Sequence, residues 1–266
     1  MELTWQADDR FEVDGVSFVS SHGESTSEAF CIRKPRPLVE ATVRLLDRIR
    51  PQRIVEIGIA SGGSAALLAL VARPSKLVAI ERDPTVVPAL ADLTATRPLP
   101  VSAYYGVDQS DRARLKSIAH AEFGSDPIDL VIDDASHLYE PTRASFETLF
   151  PLLRPGGAFV IEDWNWQLRL TYALAHPEPR GAGGVASAGG DESVRDYFRD
   201  NVRPVSLEVL ALQLMLIRAC SRDVIADVFA DESQVVITRG PAPLDPDTFS
   251  VTDYFADAHH ILGDPR

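Results

Sequence analysis

Acidic side chains and one histidine follow two apolar segments of the sequence. Asp133 and Asp134 end the first segment, with His137 three residues after Asp134, and Glu162 and Asp163 end the second. Carboxylates that share a cleft repel one another and raise each other's pKa unless a cation joins them. Oxygen ligands suit a hard cation such as Mg²⁺ or Ca²⁺. A nearby histidine can then take a proton from a hydroxyl held at that cation.

The same residues also have a structural interpretation. Asp133 and Asp134 could cap the following helix, and His137 could be a polar residue whose hydrogen bonds are satisfied nearby. A lone Asp-x-x-His pattern would favour this interpretation. The second acidic pair, at the end of the neighbouring segment, favours metal-assisted chemistry instead.

A glycine-rich turn lies further upstream, where Gly58-Ile59-Ala60-Ser61-Gly62-Gly63-Ser64 follows Glu56 and Ile57. Glycines let the backbone approach a ligand, and the helix after them offers free N–H groups. Ala60 fills the middle glycine position of G-x-G-x-x-G, which disfavours a dinucleotide. Glu81 ends the next apolar run, where an acidic side chain can accept hydrogen bonds from ribose hydroxyls. A packed turn and a solvated glutamate are the structural alternatives, but together the two features favour an adenosine-containing ligand.

Alternating strands and helices position these residues. β-branched and leucine runs predict five strands, at residues 53–58, 77–81, 101–105, 128–133 and 158–161. Apolar residues at helical spacing lie between them, as in a helix predicted to open at Pro141. The pattern predicts a doubly wound α/β sheet, whose ligand site lies at the carboxyl ends of the strands. There Asp108 and Gln109, after the third strand, would meet an adenine.

The flanks of the chain differ from this alternating core. A hairpin is predicted around Asp14-Gly15. Residues 223–228 and 234–238 predict a closing antiparallel β-hairpin, which is unusual in nucleotide dehydrogenases and usual in class I methyltransferases. The expected units are an N-terminal hairpin or lid segment (1–35), a main domain (36–240) and a C-terminal tail (241–266).

Composition narrows the function classes. The chain has 266 residues and a net charge of −13, with 26 basic against 39 acidic residues. Nucleic-acid affinity depends on a basic footprint, so no nucleic-acid partner is expected. The longest uncharged, apolar-leaning stretch is 16 residues, which is too short to span a membrane. Two distant cysteines fit a reducing compartment, and we expect a cytoplasmic protein without membrane attachment.

Three further features bear on the substrate and the assembly. Trp164 and Trp166 follow the second acidic pair, where their faces could bind a sugar or, with equal weight, pack under the next helix. A glycine-rich run at 181–190 predicts that residues 164–192 form a mobile substrate loop, which closes over the acceptor. The apolar run 209–217 predicts burial in the core or against a second copy of the chain, which favours a homodimer.

The combination of these motifs resembles a known family. Glu56-Ile57-Gly58 with Gly62-Gly63-Ser64, then Asp134-Ala135-Ser136-His137, then Ile161-Glu162-Asp163 is similar to the S-adenosylmethionine-dependent sugar O-methyltransferases. Relatives are the macrolide-sugar methyltransferases (mycinamicin, macrocin), the proteins called cephalosporin hydroxylases, and the 1-O-methyltransferase of mycobacterial methylmannose polysaccharide synthesis. The resemblance covers roughly residues 36–163, and it lies in the combination rather than in any single motif.

The resemblance implies a role for each motif. It implies a Mg²⁺ held by Asp134, Glu162 and Asp163, with His137 as general base. It places the methionine part of S-adenosylmethionine at the glycine turn and the ribose at Glu81. The implied cofactor-binding residues are Glu56, Gly58, Ser61, Gly62, Ser64, Glu81, Asp108, Gln109 and Asp133. Val107 departs from the pattern, since many relatives have glycine there.

Two other functions fit part of this pattern. An NAD-linked oxidoreductase would use the same kind of sheet, and a non-catalytic S-adenosylmethionine-binding protein would use the same turn. The acidic residues together with His137 argue against a binding protein, because such a protein needs neither. We therefore expect an S-adenosylmethionine- and Mg²⁺-dependent O-methyltransferase that acts on a sugar hydroxyl of a small molecule or oligosaccharide.

Overall fold

The computed structural model describes residues 3–175 and 202–255. Its elements run from a small N-terminal sheet into alternating strands and helices. In chain order they are β1 (Thr4–Ala7), β2 (Arg10–Val13), β3 (Val16–Ser20), β4 (Phe30–Ile32), α1 (Arg36–Ile49), β5 (Arg53–Ile57), α2 (Gly63–Ala72), β6 (Lys76–Ile80), α3 (Pro88–Thr96), β7 (Val101–Tyr104), α4 (Arg112–Phe123), β8 (Ile128–Asp133), α5 (Tyr139–Leu149), β9 (Leu153–Glu162), α6 (Trp166–Ala175), α7 (Leu207–Cys220), β10 (Ile225–Ala230) and β11 (Gln234–Arg239).

The central sheet has seven strands in the order β10-β11-β9-β8-β5-β6-β7. Strands β5 to β9 are parallel, and β11 joins β9 antiparallel with β10 outside it. Chain order reverses between β5 and β8, and such a switch point opens a crevice at the carboxyl ends of the strands. The doubly wound sheet and its closing hairpin are therefore confirmed.

Side chains from the two faces of this sheet form the core. On one face Phe146 of α5 packs edge-on against Phe159 of β9, and on the other face Leu67 of α2 belongs to the same buried cluster as Leu77 of β6. Strand β8 is buried along its whole length. Parallel strands that helices cover on both faces need such continuous apolar runs.

The N-terminal residues form a separate four-stranded sheet in the order β1-β2-β3-β4. The predicted hairpin is confirmed: β2 and β3 pair antiparallel, and Asp14 and Gly15 both have positive φ (49° and 73°). Strand β4 was not predicted. Its Cys31 carbonyl lies against the start of α2, where a Cβ on Gly63 would come within 2.1 Å of that oxygen. Close backbone contact therefore seats the small sheet against the main domain.

Several boundaries differ from the sequence predictions. Helix α5 begins at Tyr139 rather than Pro141, because proline is tolerated throughout a first turn whose N–H groups lack helical partners. Helix α4 was missed. Helix α6 occupies residues 166–175 of the expected substrate loop, so that part is regular structure; the glycine-rich run 181–190 lies outside the described residues.

Helix α7 accounts for the apolar run that favoured a homodimer. Its Leu210, Leu214 and Ile217 are fully buried in the core, and Leu212 is 45% exposed. Burial within the chain explains most of this pattern, so the homodimer stays a prediction with less support. Across residues 3–175 and 202–255, no helix is both long and apolar enough to cross a membrane.

Candidate functional site

A cleft of about 830 Å³ lies at the carboxyl ends of the parallel strands. Its walls come from the segments that follow β5, β6, β7 and β8, from Asp163 after β9, and from residues 22–34 of the N-terminal region. This is the crevice expected at the switch point of a doubly wound sheet. Its volume is within the range of cofactor and small-molecule sites.

The glycine turn forms one wall through its backbone. Gly58, Ala60 and Gly62 have φ of 84°, 45° and 82°, a region that favours glycine. A Cβ on Gly58 would lie 2.3 Å from the Asp134 carbonyl oxygen, and the Asp134 N–H donates to the Ile57 carbonyl at 2.9 Å. Gly58 is therefore required because the segments after β5 and β8 touch there.

Glu81 lines the cleft and holds the turn in shape. Its Oε2 accepts hydrogen bonds from the backbone N–H groups of Ile59 (3.0 Å) and Ala60 (2.9 Å). Its Oε1 accepts from the N–H of Asp83 at 3.0 Å. Glu81, which is predicted to bind the ribose, thus faces the cleft, and its carboxylate accepts hydrogen bonds from the turn. A carboxylate has about four acceptor sites, so a ribose hydroxyl can donate to Glu81 while these three bonds stay in place.

Asp133 and Gln109 form a buried network under the cleft floor. The Gln109 amide nitrogen donates to both Asp133 oxygens at 2.6 and 2.7 Å, and the Ser145 hydroxyl donates to the same carboxylate. Burial raises the pKa of Asp133 to about 6, although these hydrogen bonds oppose the shift. Gln109 also accepts from the Ser136 hydroxyl at 2.6 Å. Asp133 does not line the cleft, and Gln109 lines it with its amide already engaged, whereas Asp108 is open to the cleft.

Of the remaining predicted cofactor residues, some line the cleft and some do not. Ser61 and Ser64 line the cleft, and Gly62 and Glu56 lie behind it. Ser61 donates its hydroxyl to the Cys31 carbonyl at 3.2 Å, which ties the turn to the N-terminal sheet. Glu56 is completely buried, and neither of its oxygens has a hydrogen-bond partner among the described residues. Burial raises the pKa of Glu56 to about 7, with the charge of Lys34 opposing the shift.

Asp134, His137 and Asp163, which we call the cleft triad, also line the cleft and lie close together. The Nε2 atom of His137 lies 3.8 Å from Oδ1 of Asp134 and 4.0 Å from Oδ2 of Asp163. One ligand atom from each residue lies within 4.8 Å of the others. His137 and Asp163 both have positive φ (55° and 48°), and such strained backbone is concentrated at functional sites. Two oxygens and one nitrogen at this spacing can hold a divalent cation.

Glu162 departs from the predicted metal set. Its carboxylate is buried and contacts the ammonium of Lys34, which also lies 2.6 Å from Oδ2 of Asp134. In the part of the chain that the structure describes, the cleft triad is the one grouping with metal-ligand spacing, and Glu162 is not in it. The expected ligands Asp134 and Asp163 come together, and the carboxylate of Glu162 contacts Lys34 outside this grouping.

Lys34 is the site residue that sequence reasoning missed. Its partners are 100 and 128 residues away along the chain, and no motif surrounds it. It follows the unpredicted strand β4, and the Ser20 hydroxyl donates to its carbonyl at 2.6 Å. Only the tertiary fold brings the N-terminal segment, expected to be a lid, into contact with the acidic residues.

The two tryptophans use their indole N–H groups within the protein. Trp164 donates to the Asp231 carbonyl at 2.8 Å, and Trp166 donates to the His137 carbonyl at 2.5 Å. Both contacts favour the packing interpretation over sugar binding. Trp166 also fixes the backbone of His137, so the start of α6 supports the cleft triad.

Comparison with known proteins identifies the central part of the chain. Residues 55–164 match a family described as a methyltransferase domain. The demethylmacrocin O-methyltransferase of Streptomyces fradiae is 54% identical over 56 residues, which are 21% of this chain and 13% of that protein. The mycinamicin VI 2''-O-methyltransferase of Micromonospora griseorubida is 52% identical over 56 residues, with the same shares. The chain thus matches only a small part of the length of either relative.

A solved structure agrees with the fold. An SAH-bound methyltransferase of Podospora anserina superposes with a TM-score of 0.53 at 18% sequence identity, over 77% of this chain and 79% of that one. The likeness confirms the class I methyltransferase fold. The short, highly identical matches to the macrocin and mycinamicin enzymes agree with the resemblance to the sugar O-methyltransferases.

Proposed function

We propose that this chain, whose residues 55–164 match a family described as a methyltransferase domain, is an S-adenosylmethionine-dependent O-methyltransferase acting on a sugar hydroxyl. The observation that carries the proposal is that the glycine turn and the cleft triad line the same cleft. The names of the demethylmacrocin and mycinamicin enzymes support an O-methyltransferase of glycosylated small molecules. The acceptor is thus proposed to be a glycoside or an oligosaccharide.

The cofactor is proposed to lie along the turn side of the cleft. Its methionine part would rest on Gly58, Ser61 and Ser64, where the backbone is exposed to a ligand. Its ribose would meet Glu81, and its adenine would reach the segment that includes Asp108. When bound, S-adenosylmethionine would supply a sulfonium methyl group for transfer to the acceptor oxygen.

The cleft triad is proposed to hold and deprotonate the acceptor. Asp134 and Asp163 would hold a divalent cation, which lowers the pKa of a coordinated hydroxyl. His137 Nε2 lies about equally far from both carboxylates, so it can accept the hydroxyl proton while they stabilise the imidazolium. The hydrogen bond from Trp166 keeps the His137 backbone in place.

The test is a tritiated-methyl transfer assay across glycoside, oligosaccharide and catechol acceptors, with Mg²⁺ or with EDTA. We expect transfer to a sugar acceptor in Mg²⁺ and its loss in EDTA. Asp134→Asn should abolish transfer while S-adenosylhomocysteine still raises Tm, and Asp92→Asn, an exposed change on α3, serves as the matched control.

Each part of the proposal has its own contradicting result. Full turnover in excess EDTA would show that the reaction needs no divalent cation. Transfer to catechols alone would show that the acceptor is not a sugar. A rise of Tm with NAD and none with S-adenosylhomocysteine would favour an oxidoreductase.

A further inference from the structure

A buried lysine lies beneath the cleft triad. Lys34 is only 4% exposed and Glu162 only 2%. The Lys34 ammonium contacts Glu162 Oε2 and lies 2.6 Å from Asp134 Oδ2. The other oxygen of Asp134, Oδ1, is the one nearest to His137. Asp134 therefore belongs to two arrangements at once, with one oxygen toward the lysine and the other toward the cleft triad.

The lysine is charged in this environment. The Lys34 ammonium contacts the carboxylates of both Asp134 and Glu162, and opposite charges at this distance favour the charged lysine. An ammonium buried this deeply persists only when it is paired and hydrogen-bonded. Lys34 is thus a fixed monovalent cation at the base of the site.

Charge counting shows what this cation does. Asp134, Glu162 and Asp163 carry three negative charges when ionised, and Lys34 supplies one positive charge. A divalent cation at the cleft triad would supply the remaining two, which leaves the group neutral. Lys34 is therefore compatible with a divalent cation, and it neutralises the carboxylate that the triad does not include.

We propose that Lys34 is a positioning residue that keeps Glu162 out of the divalent-cation site. Glu162 acts as the counter-ion of Lys34, and the cation is left to the two carboxylates of the cleft triad, Asp134 and Asp163. The inference rests on the divalent cation of the proposed function. It departs from what the family resemblance implies, since Glu162 is then no metal ligand in this chain.

The same contact gives the N-terminal segment a fixed place. Lys34 leaves β4, which pairs with β3, and its carbonyl accepts from Ser20. The ion pairs of Lys34 with partners 100 and 128 positions along the chain would have to break for residues 30–34 to swing away. Residues 30–34 are thus a permanent wall of the site.

The test measures Mn²⁺ binding by electron paramagnetic resonance on the full chain, without cofactor or acceptor. Lys34→Met releases Glu162 from its ion pair and removes a positive charge that repels Mn²⁺. We therefore expect Mn²⁺ affinity to rise about tenfold, because the number of charged ligands tunes affinity for such cations. Tm of this variant should fall without Mn²⁺ and recover with it. Lys76→Met, which breaks the Lys76–Glu122 ion pair far from the cleft, should leave Mn²⁺ affinity unchanged.

A second variant keeps the proposal testable if Lys34→Met does not fold. Glu162→Gln in the wild-type background should change Mn²⁺ affinity less than about threefold, and in Lys34→Met it should remove the gain. A drop of tenfold or more from Glu162→Gln alone would show that Glu162 is a ligand and would overturn the inference, with the proposed cation intact. Weaker Mn²⁺ binding by folded Lys34→Met would also overturn it. If the wild type binds no Mn²⁺, the cation of the proposed function fails together with this inference.

Discussion

The two sides of the cleft are built in different ways. The turn half, residues 58–64 with Glu81, is held mainly by backbone groups, and the bonds between its two parts span 21 and 22 positions. The acid half consists of Lys34, Asp134, His137, Glu162 and Asp163. Its central ion pairs span 100 and 128 positions. One half is local in the chain, and the other is assembled from three distant segments.

This difference assigns two functions, cofactor binding and acceptor chemistry, to the two halves of one cleft. Glycines, and backbone N–H groups bonded to the Glu81 carboxylate, give the turn half a preformed shape, which suits the binding of an invariant cofactor. The acid half depends on the charges of a few side chains, which suits proton transfer and acceptor binding. Substitutions in the acid half should therefore change turnover, and substitutions in the turn half should change stability and cofactor affinity.

The largest expected effect is at His137. His137→Ala removes the proposed proton acceptor and should lower turnover by about 10²–10⁴-fold, with S-adenosylhomocysteine affinity nearly unchanged. His120→Ala, on the exposed side of α4, is the matched control. Calorimetric titration and a methyl-transfer assay on the same preparations would give both numbers. Wild-type turnover in His137→Ala would show that His137 is not the proton acceptor and that the acid half does not carry out the proton transfer.

Gly58→Ala tests the contact between the two halves. The added Cβ would lie 2.3 Å from the Asp134 carbonyl oxygen, at a residue with φ of 84°. Backbone strain and overpacking together should destabilise the fold by about 2–4 kcal/mol. Gly124→Ala separates the two causes, because Gly124 has φ of 60° with no atom within 4 Å of its Cβ position. Equal losses of stability in the two variants by urea unfolding would show that the close approach at Gly58 is unimportant.

Sequence reasoning was sufficient wherever a pattern is local. The five parallel strands, the closing hairpin and the turn around Asp14 and Gly15 follow from short apolar runs and turn residues. The grouping of Asp134 with Asp163 follows from the rule that strand ends meet. Lys34 could not be found in this way, because nothing near it in sequence indicates that β4 would carry it under the sheet. The burial of Asp133 and Glu56 likewise depends on how the strands pack in the sheet. As acidic residues near strand ends, they were predicted from sequence to contact the cofactor.

Glu56 gives a pH-dependent test at the boundary between the halves. Burial raises its pKa from 4.5 to about 7 in the folded protein. An acid with a raised folded pKa contributes stability below its unfolded pKa, and that contribution is lost as pH rises through the folded value. Glu56→Gln should therefore become more stable relative to the wild type between pH 4.5 and 8, by at most about 3 kcal/mol.

The control for this experiment is Glu28→Gln, at an exposed position of the N-terminal region. Its stability difference from the wild type, measured by urea unfolding, should stay constant over the same pH range. A constant difference for Glu56→Gln as well would mean that Glu56 is ionised at little cost. Lys34 would then neutralise Glu56 as well as Glu162.

The smallest expected effect is at Ala60, which occupies the left-handed region with φ of 45°. Ala60→Gly relieves about 1 kcal/mol of backbone strain but also increases the freedom of the unfolded chain. We expect a net gain below about 1 kcal/mol, a rise in Tm of about 1–3 °C. Arg50→Gly, at the end of α1 with φ of 49°, relieves the same kind of backbone strain far from the cleft.

Cofactor affinity decides what the strain at Ala60 means. The N–H groups of Ile59 and Ala60 already donate to Glu81, so the turn has its shape before any ligand arrives. Ala60→Gly should then leave S-adenosylhomocysteine affinity within about twofold of the wild type. The turn is already ordered before binding, so binding includes no ordering cost that the substitution could change. A tenfold change in affinity, with Arg50→Gly unaffected, would show that the turn rearranges on binding. The turn half would then depend on its ligand for its shape, and the contrast with the acid half would fail at that point.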